Sequence, residues 1–392
     1  MHLKISIATL IIAGLAAAPA SFASTAGDAP FEVVQSVPLE TTLAVPGVRQ
    51  TQEVWLELIN CSKSTLDLEQ FYVSDQAGQA LAPVLAAIQQ AAARGVQVRL
   101  LVDSKYYSTY PDSVNQLGAL ANAEARTIDF SPGVQHAKFF VVDGARSFVG
   151  SQNFDWRALN QIHEIGLRVT DAQVGSDLES IFTKDWASGT TLGTQSKALP
   201  GAIALDSLFA LGDGAEPALS VVASPAQVNP AGIPDTLSAV TGLIANAQQS
   251  VKIQVMEYTL TATEKGKTWT TLDKAIRAAA ARGVQVELAV DVSDLKKAQA
   301  ALSSLASVAN VEIRSVTIPQ YSGGAIPYAR LIHSKYLVVD GSSGWVGSEN
   351  WSEDYFTQTR DVGLVVRAQS AIDSLGAVFQ QVWSSGYTTR VK

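Results

Sequence analysis

A sequence that repeats itself over most of its length must fold as two like units, and this one does. The run Ala91-Ala92-Ala93-Arg94-Gly95-Val96-Gln97-Val98 recurs letter for letter at Ala279–Val286, an offset of 188. Further along, His136-Ala137-Lys138 is matched by His333-Ser334-Lys335 and Asp143 by Asp340. Gly150-Ser151-Gln152-Asn153 is matched by Gly347-Ser348-Glu349-Asn350, and Glu164 by Asp361, all at one offset of 197. The patches keep their order, the second copy carrying nine extra residues between them. That spacing is far longer than the 20–50 residues of solenoid repeats, so the chain is a duplicated domain.

Each copy alternates strand and helix. In the first, Thr65–Val73 reads as a strand, and Leu81, Val84, Leu85 and Ile88 fall at helical spacing. Gly95 ends that helix and Val96–Val102 is an apolar strand of the doubly buried kind. A helix through Val114, Leu117 and Leu120 follows, then strands near Ala125–Phe130, Ala137–Val142, Ser147–Val149 and Ile165–Val169, and a closing helix to Trp186. The second copy repeats the scheme from Val251 to Val382. The expectation is an α/β fold of two tandem lobes, 28–195 and 235–392. The segment 196–234, rich in Gly, Ala, Pro and Ser, reads as the linker.

Residues 1–23 read as a secretory signal: Lys4, an apolar run from Ile5 to Ala18, then Ser21-Phe22-Ala23 as a small-residue exit. The apolar run is shorter than the roughly 20 residues of a spanning helix, so cleavage and a secreted or periplasmic location are expected. Cys61 is the single cysteine, which excludes an internal disulfide and a Cys-rich zinc site. After cleavage His136, His163 and His333 are the histidines left for any imidazole chemistry. With 28 Lys and Arg against 36 Asp and Glu the chain is acidic, which argues against gripping long duplex DNA.

The repeated motif carries chemistry. On an extended segment residues two apart face the same way, so His136 and Lys138 present an imidazole beside an ammonium. Ser151 and Asn153 do the same with two hydrogen-bonding groups, and His333, Lys335, Ser348 and Asn350 duplicate the set. Such a set suits the oxygens of a phosphoryl group. Glu164 and Asp361 each stand 28 residues after a histidine and open an apolar strand. A carboxylate accepting from one ring nitrogen fixes the tautomer and aims the other nitrogen at substrate. Asp143 and Asp340, before Gly at strand ends, read as turn and framework residues. His163, where the second copy has Arg360, is expected at the surface or behind the site, and Trp156, Trp351 and Phe356 are expected in the packing.

His-x-Lys-x4-Asp followed by Gly-Ser-x-Asn, twice in one chain, resembles the phospholipase D superfamily, and the resemblance spans nearly all of the mature sequence. The stretches Asn153–Glu164 and Asn350–Asp361 are most similar to the animal endolysosomal and poxvirus branch, although Cys61 cannot supply the disulfides of the animal members. The resemblance implies two lobes about a pseudo-twofold axis, one shared cleft, no metal or cofactor, and a phosphohistidine intermediate. By analogy, His136 is the nucleophile and His333 the general acid and base. Lys138, Lys335, Asn153 and Asn350 would hold the non-bridging oxygens, with Ser151 and Ser348 assisting and Glu164 and Asp361 orienting the rings.

The implied reaction is phosphodiester hydrolysis, with transphosphatidylation where an alcohol replaces water. A phospholipid headgroup is the first expectation for substrate, compatible with peripheral membrane contact; the alternative is single-stranded nucleic acid cut from an end. No obligate protein partner is indicated. The loops Lys105–Asp112 and Thr317–Arg330 are expected at the cleft rim, where their tyrosines could stack on bases, wedge between headgroups, or simply face solvent.

Overall fold

The computed structural model describes residues 30–193 and 217–392. The leader read at 1–23 lies outside them, as does 196–216 of the stretch read as a linker.

Each lobe is built on seven strands. In the first they are Phe31–Ser36 (β1), Thr65–Gln70 (β2), Gln97–Asp103 (β3), Ala123–Ile128 (β4), Phe139–Val142 (β5), Arg146–Gly150 (β6) and Glu164–Thr170 (β7). In the second they are Leu219–Ser224 (β8), Ser250–Val255 (β9), Gln285–Asp291 (β10), Val311–Val316 (β11), Tyr336–Val339 (β12), Ser343–Gly347 (β13) and Asp361–Val366 (β14). The sheets run β4-β3-β2-β5-β6-β7-β1 and β11-β10-β9-β12-β13-β14-β8, the same topology twice, each lengthened by two- or three-residue edge strands. β2, β3 and β4 are parallel, joined through the helix Ala82–Ala93 and then Pro111–Gly118, whereas β5, β6 and β7 form an antiparallel meander. The expected two-lobed α/β fold is therefore the one observed.

One assignment is corrected. β8 falls inside the stretch read as linker, yet it pairs along its whole length with β14, from Leu219 opposite Val366 to Ser224 opposite Asp361. Its counterpart β1, also missed, pairs likewise with β7, ending with Ser36 opposite Glu164. Both are six residues long; β8 is an edge strand and β1 is flanked only by the two-residue strand Arg49–Gln50. In β8 a short Leu-x-Val-x-Ala alternation is masked by the Gly, Pro and Ser that precede and follow it.

Burial separates three cores. One face of the first sheet packs on the helices Thr51–Asn60 and Ala82–Ala93 through Trp55, Val84, Ile88, Phe140 and Phe148. The equivalent face of the second packs on Thr236–Asn246 and Thr271–Ala281 through Val240, Ile276, Leu337 and Trp345. The third core lies between the lobes, where Phe139, Val149 and Leu167 of one sheet share it with Tyr336, Val346 and Leu364 of the other. The helices Ala172–Ser188 and Gln369–Trp383 enclose it with Leu178, Phe182, Leu375 and Phe379. Because this core buries apolar area from both lobes, the lobes cannot separate without exposing it. The strand ends that carry the repeated motif are thereby held against each other.

Candidate active site

The approach to β5 is extended and obeys the expected alternation. Ala137 is buried in the core between the lobes, while His136 and Lys138 turn away from it. The strand proper begins only at Phe139, because the residues before it pair across the lobe boundary. Gln135 bridges Arg360, with His136 N–H donating to Arg360 O at 2.8 Å and Arg360 N–H to Val134 O at 2.9 Å. The second copy repeats this, Ile332 bridging His163, with His333 N–H donating to His163 O at 2.9 Å and His163 N–H to Leu331 O at 3.0 Å. Two bridges exchanged in this way are the mark of a pseudo-twofold axis between the motifs.

That exchange decides which carboxylate serves which histidine. His136 Nδ1 lies 2.7 Å from Asp361 Oδ1, and His333 Nδ1 lies 2.9 and 3.0 Å from the two oxygens of Glu164. Each lobe's acid therefore orients the other lobe's imidazole. With Nδ1 engaged, Nε2 is the nitrogen left for substrate. Both rings, with Asn153 and Asn350, line one cavity of about 460 Å3.

The lysines stand behind the rings. Lys138 Nζ donates to His136 O, and Lys335 Nζ to His333 O at 2.6 Å. Burial pushes Lys138 well below its ordinary value, and the neighbouring Lys335 adds to the shift; burial also brings Lys335 down to about 8. His136 falls well below the ordinary imidazole value through burial and then Lys138 and Lys335. His333 is lowered by burial too, against the pull of Glu164. Asp361 is pushed well up by burial and by Glu349, itself raised to about 7 by burial. An oxyanion bound here favours the charged forms of the two lysines and two histidines, whose pKa values burial lowers, and keeps those of Asp361 and Glu349 high.

The serines are a correction. Ser151 Oγ donates to Glu164 Oε2 at 2.5 Å and lies 3.1 Å from Ile165 O, and Ser348 Oγ lies 3.3 Å from Val362 O. Neither lines the cavity, so they brace the carboxylate strands and do not cradle the phosphoryl group. Asp143 and Asp340 hold the framework as expected. Each sits at positive φ and accepts three backbone N–H groups, from Lys63, Ser64 and Thr65 in one lobe and Gln248, Gln249 and Ser250 in the other. Trp156, Trp351 and Phe356 pack in the lobe cores. His163 is not at the surface: fully buried and held to about 4 by that burial, it lies behind His333 with Nδ1 3.2 Å from Gln254 Nε2. Among the described residues no group of three His, Cys, Asp or Glu side chains is placed to hold a metal ion, and no helix is long and apolar enough to cross a membrane.

The sequence reading placed Tyr106 and Tyr110 at the rim and missed the rest of the aromatic wall, Phe71, Tyr72 and Tyr355. Phe71 meets His136 edge-on at 4.8 Å and Tyr355 meets the same ring at 4.9 Å. From Phe71 the rings continue outward: Tyr106 lies 4.0 Å from it, Tyr72 is stacked 5.9 Å from Tyr106, and Tyr110 is stacked 5.0 Å from Tyr72. Arg157 joins this wall, tied to Asp155 at 2.7 Å. Phe71 and Tyr72 directly follow the end of β2, the place where open α/β sheets bind ligands, and that position was the available signal. The two rim loops do reach the cavity, through Tyr106, Thr109 and Tyr110 in one and Tyr328 in the other.

Two lobes of this topology, closing two His-x-Lys motifs over one cleft, define the phosphodiesterase class of the phospholipase D type. The family model described as "Cardiolipin synthase, PLD-like domain" matches residues 55–186 and 240–383. The chain belongs to the phospholipase D superfamily and, within it, resembles the animal branch. It is 30% identical over 396 residues to the mouse (Mus musculus) 5'-3' exonuclease PLD4, covering 91% of this chain and 78% of that one. It is 29% identical to Phospholipase D Z of Dictyostelium discoideum, covering 94% and 92%. The fold is shared with the solved phosphatidylserine synthase of Haemophilus influenzae, at a TM-score of 0.62 and 14% identity over 87% of this chain and 85% of that one.

Proposed function

We propose that this phosphodiesterase removes nucleotides from an end of single-stranded nucleic acid through a covalent phosphohistidine. The observation that carries the reading is the row of rings from Tyr110 through Tyr72 and Tyr106 to Phe71, which runs from the rim to His136. Each base stacked on such a row contributes about 1–3 kcal/mol without regard to its identity. The mouse relative's name, a 5'-3' exonuclease, supports the same substrate class. The acidic balance is no obstacle, because a short strand held at its end needs few phosphate contacts.

His136 Nε2 attacks phosphorus and forms a P–N bond to the terminal nucleotide as the P–O bond to the rest of the strand breaks. His333, protonated, gives its proton to that oxygen. It then takes a proton from water, whose oxygen attacks phosphorus, breaking the P–N bond and freeing His136. Asn153 and Asn350, which line the cavity, meet the non-bridging oxygens in both steps, and Lys138 and Lys335 add positive charge from behind the rings. The proposal includes export, on the strength of residues 1–23, so the reaction occurs outside the cytoplasm.

The second reading, a phospholipid headgroup, is favoured by the Dictyostelium relative's name. Against it, Leu39 and Tyr328 are the large apolar side chains exposed among the described residues, few for a surface that must dock on a bilayer. The deciding experiment assays the mature protein on end-labelled single-stranded oligonucleotides and on phosphatidylcholine vesicles, with His136→Ala and His333→Ala as controls. Stepwise shortening of the oligonucleotide, lost in both variants, is expected. Turnover of phosphatidylcholine with the oligonucleotide intact would overturn the proposal.

A further inference from the structure

The pseudo-twofold gives the cleft two equivalent sides, and they carry opposite chemistry. Thr65 and Ser250 hold equivalent places, each opening its strand beside the framework aspartate. Counting on, Tyr72 corresponds to Glu257. Asp103 and Asp291 correspond as well, each ending its strand and accepting the N–H of the residue before a motif histidine, Gln135 or Ile332. Tyr106 then corresponds to Asp294, and at the motif offset Arg157 corresponds to Asp354. Where the first lobe offers two rings and a guanidinium, the second offers three carboxylates.

Those three carboxylates line a separate cavity of about 370 Å3 with the hydroxyls of Thr259 and Ser352 and with Lys297. Lys335 acts on Glu257, Lys297 on Glu257 and Asp294, and Ser352 Oγ donates to Asp354 Oδ1 at 2.5 Å. Lys297 is two-thirds exposed, and its Nζ comes no closer than 3.9 Å to Glu257. Asp294 is 2% exposed; one of its oxygens accepts Tyr258 N–H at 2.8 Å, and the other, Oδ1, has no partner. An unpaired buried acceptor among carboxylates welcomes a hydroxyl or amino group and refuses a phosphate.

We propose that Glu257, Asp294 and Asp354 form an acidic wall that confines this phosphodiesterase to strand ends. The chain's phosphates lie along the Tyr72–Arg157 side, the scissile phosphate sits between the two histidines, and no further phosphate is admitted beyond it on the second-lobe side. Cleavage is then terminal whatever the sequence, and the released fragment is a single nucleotide. The inference rests on the nucleic-acid reading above and adds to it the side chains that set the mode of attack.

The test compares a linear single-stranded oligonucleotide with its covalently closed circle, using the full chain and the isosteric double variant Glu257→Gln/Asp354→Asn. The wild type is expected to degrade the linear strand and to cut the circle at least 100-fold more slowly. The double variant is expected to cut the circle at least tenfold faster than the wild type does, with the linear rate held within about threefold, which also reports that it folds. A wild type that cuts circles as fast as linear strands overturns the wall, as does a double variant whose discrimination is unchanged. If neither polymer is cut while phosphatidylcholine is hydrolysed, the nucleic-acid reading itself has failed and the wall with it, an outcome plainly different from the first two.

Discussion

Replacing Glu164 by Gln tests the exchange of carboxylates between lobes. The substitution keeps the side chain's shape and its contact with Ser151, and removes the anion 2.9–3.0 Å from His333 Nδ1. Glu164 is fully buried and the His333 side chain is 12% exposed, so solvent replaces little of what is lost. A hydrogen bond to a charged partner contributes about 1.5–3 kcal/mol, and about 1.4 kcal/mol is a factor of ten. The expected loss in kcat/KM on an oligonucleotide is therefore about 10–150-fold. The step affected is the informative part. With His333 as acid and base, an activated diester of thymidine 5'-phosphate and p-nitrophenol needs no proton on its leaving group. In stopped flow the Glu164→Gln variant should then show a near-normal burst of p-nitrophenol followed by a slowed steady state, because water must still be deprotonated. Asp361→Asn, which touches His136, should slow the burst itself. If the two variants exchange these behaviours, the roles assigned to the histidines are reversed. If they behave alike, the division of labour is wrong.

Arg360 is fully buried, bound to both oxygens of Asp185 at 2.7 and 3.2 Å and to the Ser224 and Val228 carbonyls, so it ties the helix Ala172–Ser188 of one lobe to the other. Arg360→Met strands Asp185 and should cost about 3–5 kcal/mol in urea unfolding, with Arg360→Met/Asp185→Leu recovering much of it; a cost under about 1 kcal/mol would contradict this account. In the pH profile of kcat/KM, the acid His333 acts when protonated and burial lowers its pKa. Activity should therefore decline as pH rises through a value below the ordinary imidazole one, and again near 8 as Lys335 loses its proton. An optimum well above neutrality would refute this.

The duplication was legible because it is written in side-chain identity at a fixed offset, and the alternation of strand and helix because it is written in apolar periodicity. The convergence of the motifs was legible only through the resemblance to the superfamily. What stayed hidden was carried by the backbone. Glu164 follows His136 by 28 residues as Asp361 follows His333, which invites pairing within a copy. The sheet forbids it. β6 lies between β5 and β7, setting them about 10 Å apart, and Ser151 at the end of β6 already holds the Glu164 carboxylate. Across the boundary His163 and Arg360 occupy equivalent positions and are unlike residues, so the match looked meaningless. Yet each acts there through N–H and C=O, which any residue but proline supplies, and each delivers the carboxylate that follows it to the opposite imidazole. The paired glycines show the same dependence on main chain. A Cβ on Gly150 would lie 2.8 Å from Gly166 Cα, and one on Gly363 would lie 3.1 Å from Gly347 Cα. Gly150 before Ser151 thus lets β6 approach β7, and Gly363 lets β14 approach β13 at Gly347, where the carboxylates begin. Once one exchange forms, the twofold relation imposes the other, and neither lobe can complete its site alone.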